Sequence, residues 1–289
     1  MRTPLALLLL SCVLPLAAQS ASPAPAAMES FQLPSHGSML NAFAYLAAGP
    51  GPHPVVVLLH GFPGNERNLD LAQAIRRAGW DVLYFDYRGS WGTPGTFTFA
   101  HVLEDSQAAV DYLRVPANAA HLRADPKTIV LLGHSMGGFA ALYTAAHDPN
   151  LRATAVLSPA DMAGSALLPP NASPDLQKRA LAGITAGLAS QGMAPLAGCT
   201  PASLAAELLA HATEWSFATL GPRIATQPLL VVTSDDGLAP PAIALAAAAK
   251  AAGNSNVSTL HLATDHSYSD KRKELEEAVI AGLGELQPK

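Results

Sequence analysis

The stretch of sequence that decides the fold is TIVLLGHSMGG, residues 128–138. Its first five residues are apolar or β-branched without polar alternation, which is typical of a strand buried on both faces of a parallel sheet. The next six contain the pattern G-x-S-x-G and lead into a helical run over 137–146. At a strand-to-helix turn, this pattern holds its serine in a strained backbone conformation with the hydroxyl above the sheet. The stretch therefore predicts a reactive role for Ser135, rather than that of an ordinary turn serine.

Strand-like and helical runs alternate along most of the chain. Further strands are predicted at residues 55–59, 80–85, 153–157, 229–233 and 257–262, and further helices at 69–78, 99–113, 241–252 and 271–286. This alternation is typical of an α/β fold with a mainly parallel, doubly wound sheet that helices cover on both faces. Two earlier runs, 30–33 and 40–46, predict an antiparallel hairpin at one edge of the sheet.

Residues 159–227 interrupt this alternation. They contain no strand-like run, but they do contain helical stretches near 176–188 and 203–220. We interpret them as a helical cap inserted over the carboxyl edge of the sheet. The cap would separate two segments of the core, at 30–158 and 228–289.

The first residues are typical of a targeting signal. Arg2 precedes an apolar run that ends in small residues, so residues 1–21 predict a signal peptide and residues 22–29 a linker. The residues before Cys12 also fit a lipoprotein signal. Because the apolar run continues past this cysteine, we favour export to the periplasm or the exterior without a lipid anchor. Removal of Cys12 would leave Cys199 without an intrachain disulfide partner.

The composition excludes several classes of protein. The 289 residues are 49% hydrophobic and 13% charged, which is not the composition of a disordered chain. A formal net charge of −5 without basic clusters argues against a nucleic-acid partner. No apolar run after the N-terminus reaches the roughly 20 residues of a membrane span, and no metal-ligand spacing such as H-E-x-x-H occurs. We therefore expect a small-molecule substrate, no metal and no cofactor, and the oligomeric state stays open.

A reactive Ser135 needs a base, because a hydroxyl of ordinary pKa is a weak nucleophile at neutral pH. His266 is the candidate, since it follows the last predicted strand in a loop that can reach over the carboxyl edge of the sheet. A carboxylate is expected to fix the tautomer of this imidazole. Asp235 and Asp236 both follow the preceding strand, and we favour Asp236, which lies four residues before Pro240 at the start of a predicted helix.

Two other histidines near these elements are less suited to the role of base. His134 is adjacent to Ser135 in sequence, so its side chain is expected to point elsewhere. His261 lies within the last predicted strand, where we expect it to pack.

Ester cleavage also needs hydrogen-bond donors for the oxygen that becomes negative in the transition state. The loop HGFPG at residues 60–64 directly follows the first central strand and can supply one backbone N–H group. We expect the donors of this oxyanion hole to be the N–H groups of Phe62 and Met136.

Together these motifs resemble the α/β-hydrolase superfamily, of the serine esterase or peptidase type. The resemblance covers about residues 30–286, and the serine, the acid and the histidine follow one another in the order of the triad of that superfamily. The stretch DYRGSWG at 86–92 is similar to bacterial prolyl-oligopeptidase-like and dienelactone-hydrolase-like members. The resemblance implies that Arg88 and Gly89 support the oxyanion loop. Dienelactone hydrolases usually carry a cysteine at the position of Ser135.

The resemblance implies a serine hydrolase that cleaves carboxylic esters through an acyl-enzyme, and the predicted signal peptide implies that it is exported. The alternative is a serine aminopeptidase or dipeptidyl-peptidase-like enzyme, in which acids of the cap hold the free ammonium group of a short peptide. The acids available for this purpose form no pair close in sequence: Asp161, Asp175, Glu207 and Glu214. A third interpretation is a non-catalytic ligand-binding protein on the same fold. The acyl and alcohol groups of the substrate are not indicated by the sequence.

Overall fold

A computed structural model of the protein describes residues 24–286, so the predicted signal peptide at 1–21 lies outside the described residues. Within residues 24–286 the chain forms one eight-stranded sheet in the order β1-β2-β4-β3-β5-β6-β7-β8. The strands are β1 Ala27–Ser35, β2 Ser38–Leu46, β3 His53–Leu59, β4 Asp81–Phe85, β5 Ala124–His134, β6 Ala153–Leu157, β7 Leu229–Thr233 and β8 Val257–His261. The six strands from β3 onward are mutually parallel. The α/β fold with a mainly parallel sheet is confirmed.

Helices cover both faces of this sheet. They are α1 Leu69–Arg77, α2 Phe99–Arg114, α3 Pro116–His121, α4 Met136–His147, α5 Pro174–Ala189, α6 Pro201–Ala210, α7 Ala212–Trp215, α8 Phe217–Leu220, α9 Ala239–Ala251 and α10 Arg272–Gly284. Helices α1 and α10 bury Ile75 and Val279 on one face, and α2, α4 and α9 bury Val110, Phe139 and Leu245 on the other. Because both faces are covered, all five residues of β4 and of β6 are buried, which explains why these strands are apolar apart from Asp81 and Thr154.

The hairpin of β1 and β2 lies at one edge of the sheet, and β2 joins β4 in antiparallel orientation. Strand β1 begins at Ala27, three residues before the predicted start, so the predicted linker at 22–29 is too long. Residues 27–29 pair with residues 44–46. The Met28 side chain in this segment is 58% exposed. An edge strand with exposed side chains carries no hydrophobic alternation, so its beginning is not visible in the sequence.

Helices α5 to α8 lie between β6 and β7, where the sequence predicts a helical cap. The predicted helical stretch at 203–220 is divided into three helices. It breaks at His211, with φ −108° and ψ 13°, and at Ser216, with φ −70° and ψ 147°. The carboxylate of Asp161 accepts a hydrogen bond from the backbone N–H of Phe217 and so caps a new helix after Ser216.

The middle of this insertion is joined to the core by backbone hydrogen bonds. The N–H of Trp91 donates to the carbonyl of Pro195 at 3.0 Å, and the N–H of Ala197 donates to that of Gly89 at 2.7 Å. The N–H of Phe97 donates to the carbonyl of Ala197 at 2.9 Å. The cap is therefore fixed to the loop that follows β4. No helix within residues 24–286 combines the length and the apolar character needed to cross a membrane.

Candidate active site

Ser135 lies at a sharp turn between β5 and α4. Its backbone has φ 56° and ψ −119°, a combination that an L residue adopts only when its surroundings impose it. The surroundings are tight, because a Cβ atom on Gly133 would lie 2.0 Å from the carbonyl oxygen of Gly137, and one on Gly137 would lie 2.1 Å from that of Leu59. The flanking glycines are therefore required by close backbone approach. This geometry agrees with the turn predicted from the G-x-S-x-G pattern.

His266 and Asp236 are hydrogen-bonded to each other at the carboxyl edge of the sheet. The Nδ1 atom of His266 lies 2.7 Å from Oδ2 of Asp236. The Asp236 side chain is 5% exposed, and that of His266 is 40% exposed. The other carboxylate oxygen, Oδ1, accepts a hydrogen bond from the N–H of Leu238 at 2.8 Å. The imidazole therefore has its Nδ1 atom engaged, which leaves Nε2 to exchange a proton with another group.

The acid of this pair is held in its ionised form. Burial alone raises the pKa of Asp236, but the hydrogen bonds from His266 and from the N–H of Leu238 outweigh it, so the pKa lies below its ordinary value. A carboxylate that accepts several hydrogen bonds is stabilised in this way.

Asp235 has a different partner. Its Oδ1 atom lies 3.1 Å from Nε2 of His261, and these two side chains are 64% and 49% exposed. His261 was expected to pack inside the last strand. This expectation is wrong, because β8 is an edge strand and half of the His261 side chain faces solvent. Of the two candidate acids, the geometry pairs Asp236 with His266.

His134 supports the loop that carries His266. Its Nε2 atom donates to the backbone carbonyl of His266 at 2.8 Å, and the centroids of the two rings are 4.6 Å apart. Burial is the largest cause that lowers the pKa of His134, to about 4, and the charge of His266 lowers it further. His134 is therefore neutral at pH 7 with its proton on Nε2. As expected from the sequence, the His134 side chain makes no hydrogen bond with the Ser135 hydroxyl, but no signal in the sequence indicated its contact with His266.

The Ser135 hydroxyl has no hydrogen-bond partner within residues 24–286, and none joins it to His266. Contacts between a nucleophile and its base are often long before a substrate binds. The two loops nevertheless adjoin, since His134, the residue before Ser135, contacts His266 directly. The structure thus brings the three sequence-predicted side chains to one edge of the sheet.

The loop at residues 60–64 lies directly beside Ser135. A Cβ atom on Gly61 would lie 3.0 Å from Cβ and 3.5 Å from Oγ of Ser135. Among the described residues, the backbone N–H of Phe62 has no hydrogen-bond partner. Met136 is the first residue of α4, so its N–H has no partner within the helix. Two backbone donors therefore remain available next to the Ser135 hydroxyl, at the positions predicted from the sequence.

Trp91 and Tyr87 hold this loop in place. The Nε1–H of Trp91 donates to the carbonyl of Pro63 at 2.8 Å, and the hydroxyl of Tyr87 donates to that of His60 at 3.3 Å. Trp91 has a positive φ of 47°, and the Arg67 guanidinium lies 4.3 Å above its ring. The position of the Trp91 indole is thus set from two sides.

Arg88 forms no hydrogen bond or ion pair with the loop at 60–64, contrary to the role implied by the resemblance. Its Nε atom lies 2.7 Å from Oδ1 of Asp105, and its guanidinium also pairs with Glu104. Both acids belong to α2. Gly89 allows a close passage of backbone, because a Cβ atom there would lie 2.2 Å from the N atom of Phe97. Arg88 therefore fixes the segment after β4 to α2, and the contact with the oxyanion loop is made by Trp91.

The acidic side chains of the cap are all engaged by partners in the protein. Glu207 accepts hydrogen bonds from the N–H groups of Phe99 and Ala100, both at 2.9 Å, and so caps α2. Asp161 caps α8. The two remaining acids have side-chain partners: Glu214 pairs with Tyr143 and His211, and Asp175 with Arg179. Within residues 24–286, no group of three or more His, Cys, Asp or Glu side chains is arranged to hold a metal ion.

Comparison with known proteins identifies the family. Residues 56–278 match the Alpha/beta hydrolase family, and the chain belongs to it. The uncharacterized protein Rv2307c of Mycobacterium tuberculosis (strain ATCC 25618 / H37Rv) is 30% identical over 114 residues, which are 39% of each chain. The quorum-quenching protein AidA of Acinetobacter baumannii (strain MDR-ZJ06) is 33% identical over 135 residues, 45% of this chain and 43% of that protein. The matches thus span less than half the length of these relatives.

Solved structures share the whole fold. Est1E from Butyrivibrio proteoclasticus superposes with a TM-score of 0.64 over 89% of this chain and 98% of the other, at 20% sequence identity. At this level of identity the likeness concerns the fold. The architecture on which the candidate site is built is therefore that of the family.

Proposed function

We propose that the protein is a serine hydrolase that cleaves carboxylic esters, with Ser135 as nucleophile, His266 as base and Asp236 as the acid that orients it. The observation that carries this proposal is the 2.7 Å contact between His266 and Asp236 in a loop that His134 holds against the Ser135 turn. A buried, ionised carboxylate on Nδ1 directs the lone pair of Nε2 toward the carboxyl edge of the sheet, where the Ser135 hydroxyl lies.

In the first half of the reaction, His266 Nε2 removes the proton of Ser135 as Oγ attacks the ester carbonyl. The carbonyl oxygen becomes an oxyanion, and the N–H groups of Phe62 and Met136 donate to it. His266 then gives its proton to the leaving alcohol, and an acyl-enzyme on Ser135 remains. Asp236 stabilises the imidazolium during these steps.

In the second half, water takes the place of the alcohol. His266 removes a proton from the water, the resulting hydroxide attacks the acyl carbon, and the same N–H donors stabilise the oxyanion. Collapse of this intermediate returns the proton to Ser135 Oγ and releases the carboxylic acid. No cofactor takes part in these steps.

The contacts of the cap acids favour esters over free amino-terminal peptides. An aminopeptidase needs an anionic group free to receive the ammonium of its substrate. Glu207 and Asp161 already accept hydrogen bonds from helix N-termini, and replacing these donors by a substrate would leave buried N–H groups without partners. A non-catalytic binding role is disfavoured by the free Ser135 hydroxyl and the paired Asp236 and His266.

The proposal also includes the export of the protein and its relationship to particular members of the family. Export as a periplasmic or secreted protein depends on residues 1–21, and a relationship to prolyl-oligopeptidase-like or dienelactone-hydrolase-like members depends on the motif at 86–92.

The test compares p-nitrophenyl acetate with alanine p-nitroanilide as substrates of the full-length and processed protein. We expect hydrolysis of the ester and little or none of the anilide. His266→Ala should lower kcat by about 10³-fold or more. His261→Ala is the matched control, because it removes the neighbouring histidine–aspartate pair, and it should retain most of the activity. Preference for the anilide, or equal loss in both variants, would contradict the proposal.

A further inference from the structure

Three buried hydroxyl groups lie behind the His266–Asp236 pair. Ser158 Oγ is 2.8 Å from Ser234 Oγ and 2.9 Å from the hydroxyl of Tyr268. The residues Ser158, Ser234 and Tyr268 are 1%, 1% and 0% exposed. These three residues are called the hydroxyl cluster below. Nothing in the reaction described above uses their hydroxyl groups chemically.

The cluster draws its members from three different loops. Ser158 directly follows β6, Ser234 directly follows β7 two residues before Asp236, and Tyr268 follows β8 two residues after His266. The loop after β6 also contacts the nucleophile turn, because the N–H of Ala160 donates to the carbonyl of Ser135 at 3.0 Å. The cluster therefore joins the segments that carry the serine, the acid and the histidine.

Two members of the cluster have strained backbones. Ser158 has φ 41° and Tyr268 has φ 57°, and neither is a glycine. Such conformations cost about 1–3 kcal/mol each and persist only where surrounding contacts impose them. The hydroxyl groups of Ser158 and Tyr268 are hydrogen-bonded to each other at 2.9 Å. This hydrogen bond is therefore one of the contacts that hold the two strained backbone conformations.

We propose that Ser158, Ser234 and Tyr268 are positioning residues that hold the loops of Asp236 and His266 in register, so that the two side chains meet. This inference rests on the proposed function, because it assigns a role relative to the same triad. Each hydroxyl has a single proton to donate. The Tyr268 hydroxyl donates its proton to the carbonyl of Val232 in β7 at 3.1 Å, so Tyr268 accepts from Ser158 and Ser158 accepts from Ser234. This chain of hydrogen bonds ties the loops after β6, β7 and β8 to one another and to the sheet.

The effect of removing a hydroxyl separates positioning from packing. If the cluster only satisfied its own members, apolar replacements of matching shape would be nearly neutral. If it positions Asp236 relative to His266, the same replacements lower the rate of the reaction.

Tyr268→Phe tests the inference, because it keeps the buried ring and removes only the hydroxyl. With a p-nitrophenyl ester as substrate, we expect kcat to fall about 10-fold with little change in KM. The matched control is Tyr84→Phe, since Tyr84 is also buried and its hydroxyl donates to a carboxylate, Asp86, at 3.1 Å in the sheet. The control should keep the kcat of the unmodified protein. Ser158→Ala provides a second variant should Tyr268→Phe fail to fold, which thermal unfolding would reveal.

A double-mutant cycle separates positioning through Asp236 from a general effect on the fold. The rate of fluorophosphonate labelling is measured for Tyr268→Phe, Asp236→Asn and the combined variant. If the cluster acts through Asp236, Tyr268→Phe should have little further effect once the carboxylate is replaced. Additive losses, or an unchanged kcat in Tyr268→Phe, would overturn the inference while the proposed function stands. If Ser135→Ala retained full activity, the proposed function itself would fail.

Discussion

His134 and His266 form a pair of tilted rings in which the buried imidazole of the first supports the backbone of the second. Nε2 of His134 donates to the carbonyl of His266 at 2.8 Å, and the ring centroids are 4.6 Å apart. The residue before the nucleophile thus contacts the loop of the base. Because the burial of His134 lowers its pKa to about 4, this contact is made by an imidazole that is neutral in the folded protein at pH 7.

A first prediction concerns stability at mildly acidic pH. As the pH falls from 7 to 5, the unfolded chain takes up a proton on residue 134 and the folded protein does not, so the free energy of unfolding decreases. His134→Gln keeps an N–H donor and removes the titration. Between pH 7 and 5 the unmodified protein should lose about 2 kcal/mol more than the variant, as measured by urea unfolding.

The comparison with the variant isolates His134 from other groups. Burial raises the pKa of Asp81 to about 7, so Asp81 acts in the opposite direction: the folded protein binds its proton first, and its contribution to stability grows as the pH falls. Burial lowers the pKa of His60 to about 4, which acts in the same direction as His134. Parallel pH slopes for the variant and the unmodified protein would contradict the assignment of a buried, neutral His134.

A second prediction distinguishes the two adjacent acids. Asp236→Asn should lower kcat for an ester by about 10³–10⁴-fold, because an amide does not stabilise an imidazolium and favours the wrong tautomer of His266. Asp235→Asn, the matched control, should change kcat by no more than about 3-fold, since its carboxylate is mostly exposed and pairs with His261. Steady-state kinetics of both variants check the prediction. A larger effect of Asp235→Asn would transfer the role to Asp235.

A third prediction concerns the loop at residues 60–64. Trp91→Phe removes the hydrogen bond to the carbonyl of Pro63 and should lower kcat about 10-fold, because small displacements of an oxyanion donor weaken transition-state stabilisation. Trp80→Phe serves as control, since Trp80 is equally large and 1% exposed but packs in the cluster with Ile75 and makes no hydrogen bond to the loop at residues 60–64. Its kcat should not change. Equal losses of kcat in the two variants would argue against a role of Trp91 at the loop.

A fourth prediction concerns the attachment of the cap. Glu207 satisfies two N–H groups at the start of α2, so Glu207→Ala should lower the free energy of unfolding by about 1–2 kcal/mol. Glu277→Ala, at an exposed position on α10, should change it by no more than about 0.5 kcal/mol. Chemical denaturation of the two variants measures the difference. An equal loss of unfolding free energy in both variants would mean that Glu207 does not stabilise the N-terminus of α2.

Most elements of the core could be predicted from the sequence, because strands buried on both faces consist mainly of consecutive apolar residues. Strands β6 and β7 have the predicted bounds. Helix α3 was missed, although Pro116 at its first position is a signal for a helix start. The cap was predicted only as two helical stretches, since the breaks at His211 and Ser216 depend on tertiary contacts such as that of Asp161 with Phe217.

In the candidate site, too, features set by local sequence could be predicted and those set by tertiary contacts could not. That Ser135, Asp236 and His266 share one edge of the sheet could be predicted because each lies in a loop that follows a parallel strand, and parallel strands end at one edge of a sheet. The supporting contacts could not be predicted, since His134 and His266 are more than 100 residues apart in sequence, as are Ser158 and Tyr268. The resemblance did not predict the contacts of Arg88. The motif that contains Arg88 is present, but its guanidinium pairs with acids of α2 and not with the loop at residues 60–64.

The central claim is that Ser135 is the nucleophile, and covalent labelling tests it most directly. The purified protein is treated with a fluorophosphonate, and the modified residue is identified by mass spectrometry of its peptides. We expect one adduct, on Ser135, with labelling abolished in Ser135→Ala and strongly slowed in His266→Ala. An adduct on another residue, or labelling and ester turnover in Ser135→Ala equal to those of the unmodified protein, would contradict the account.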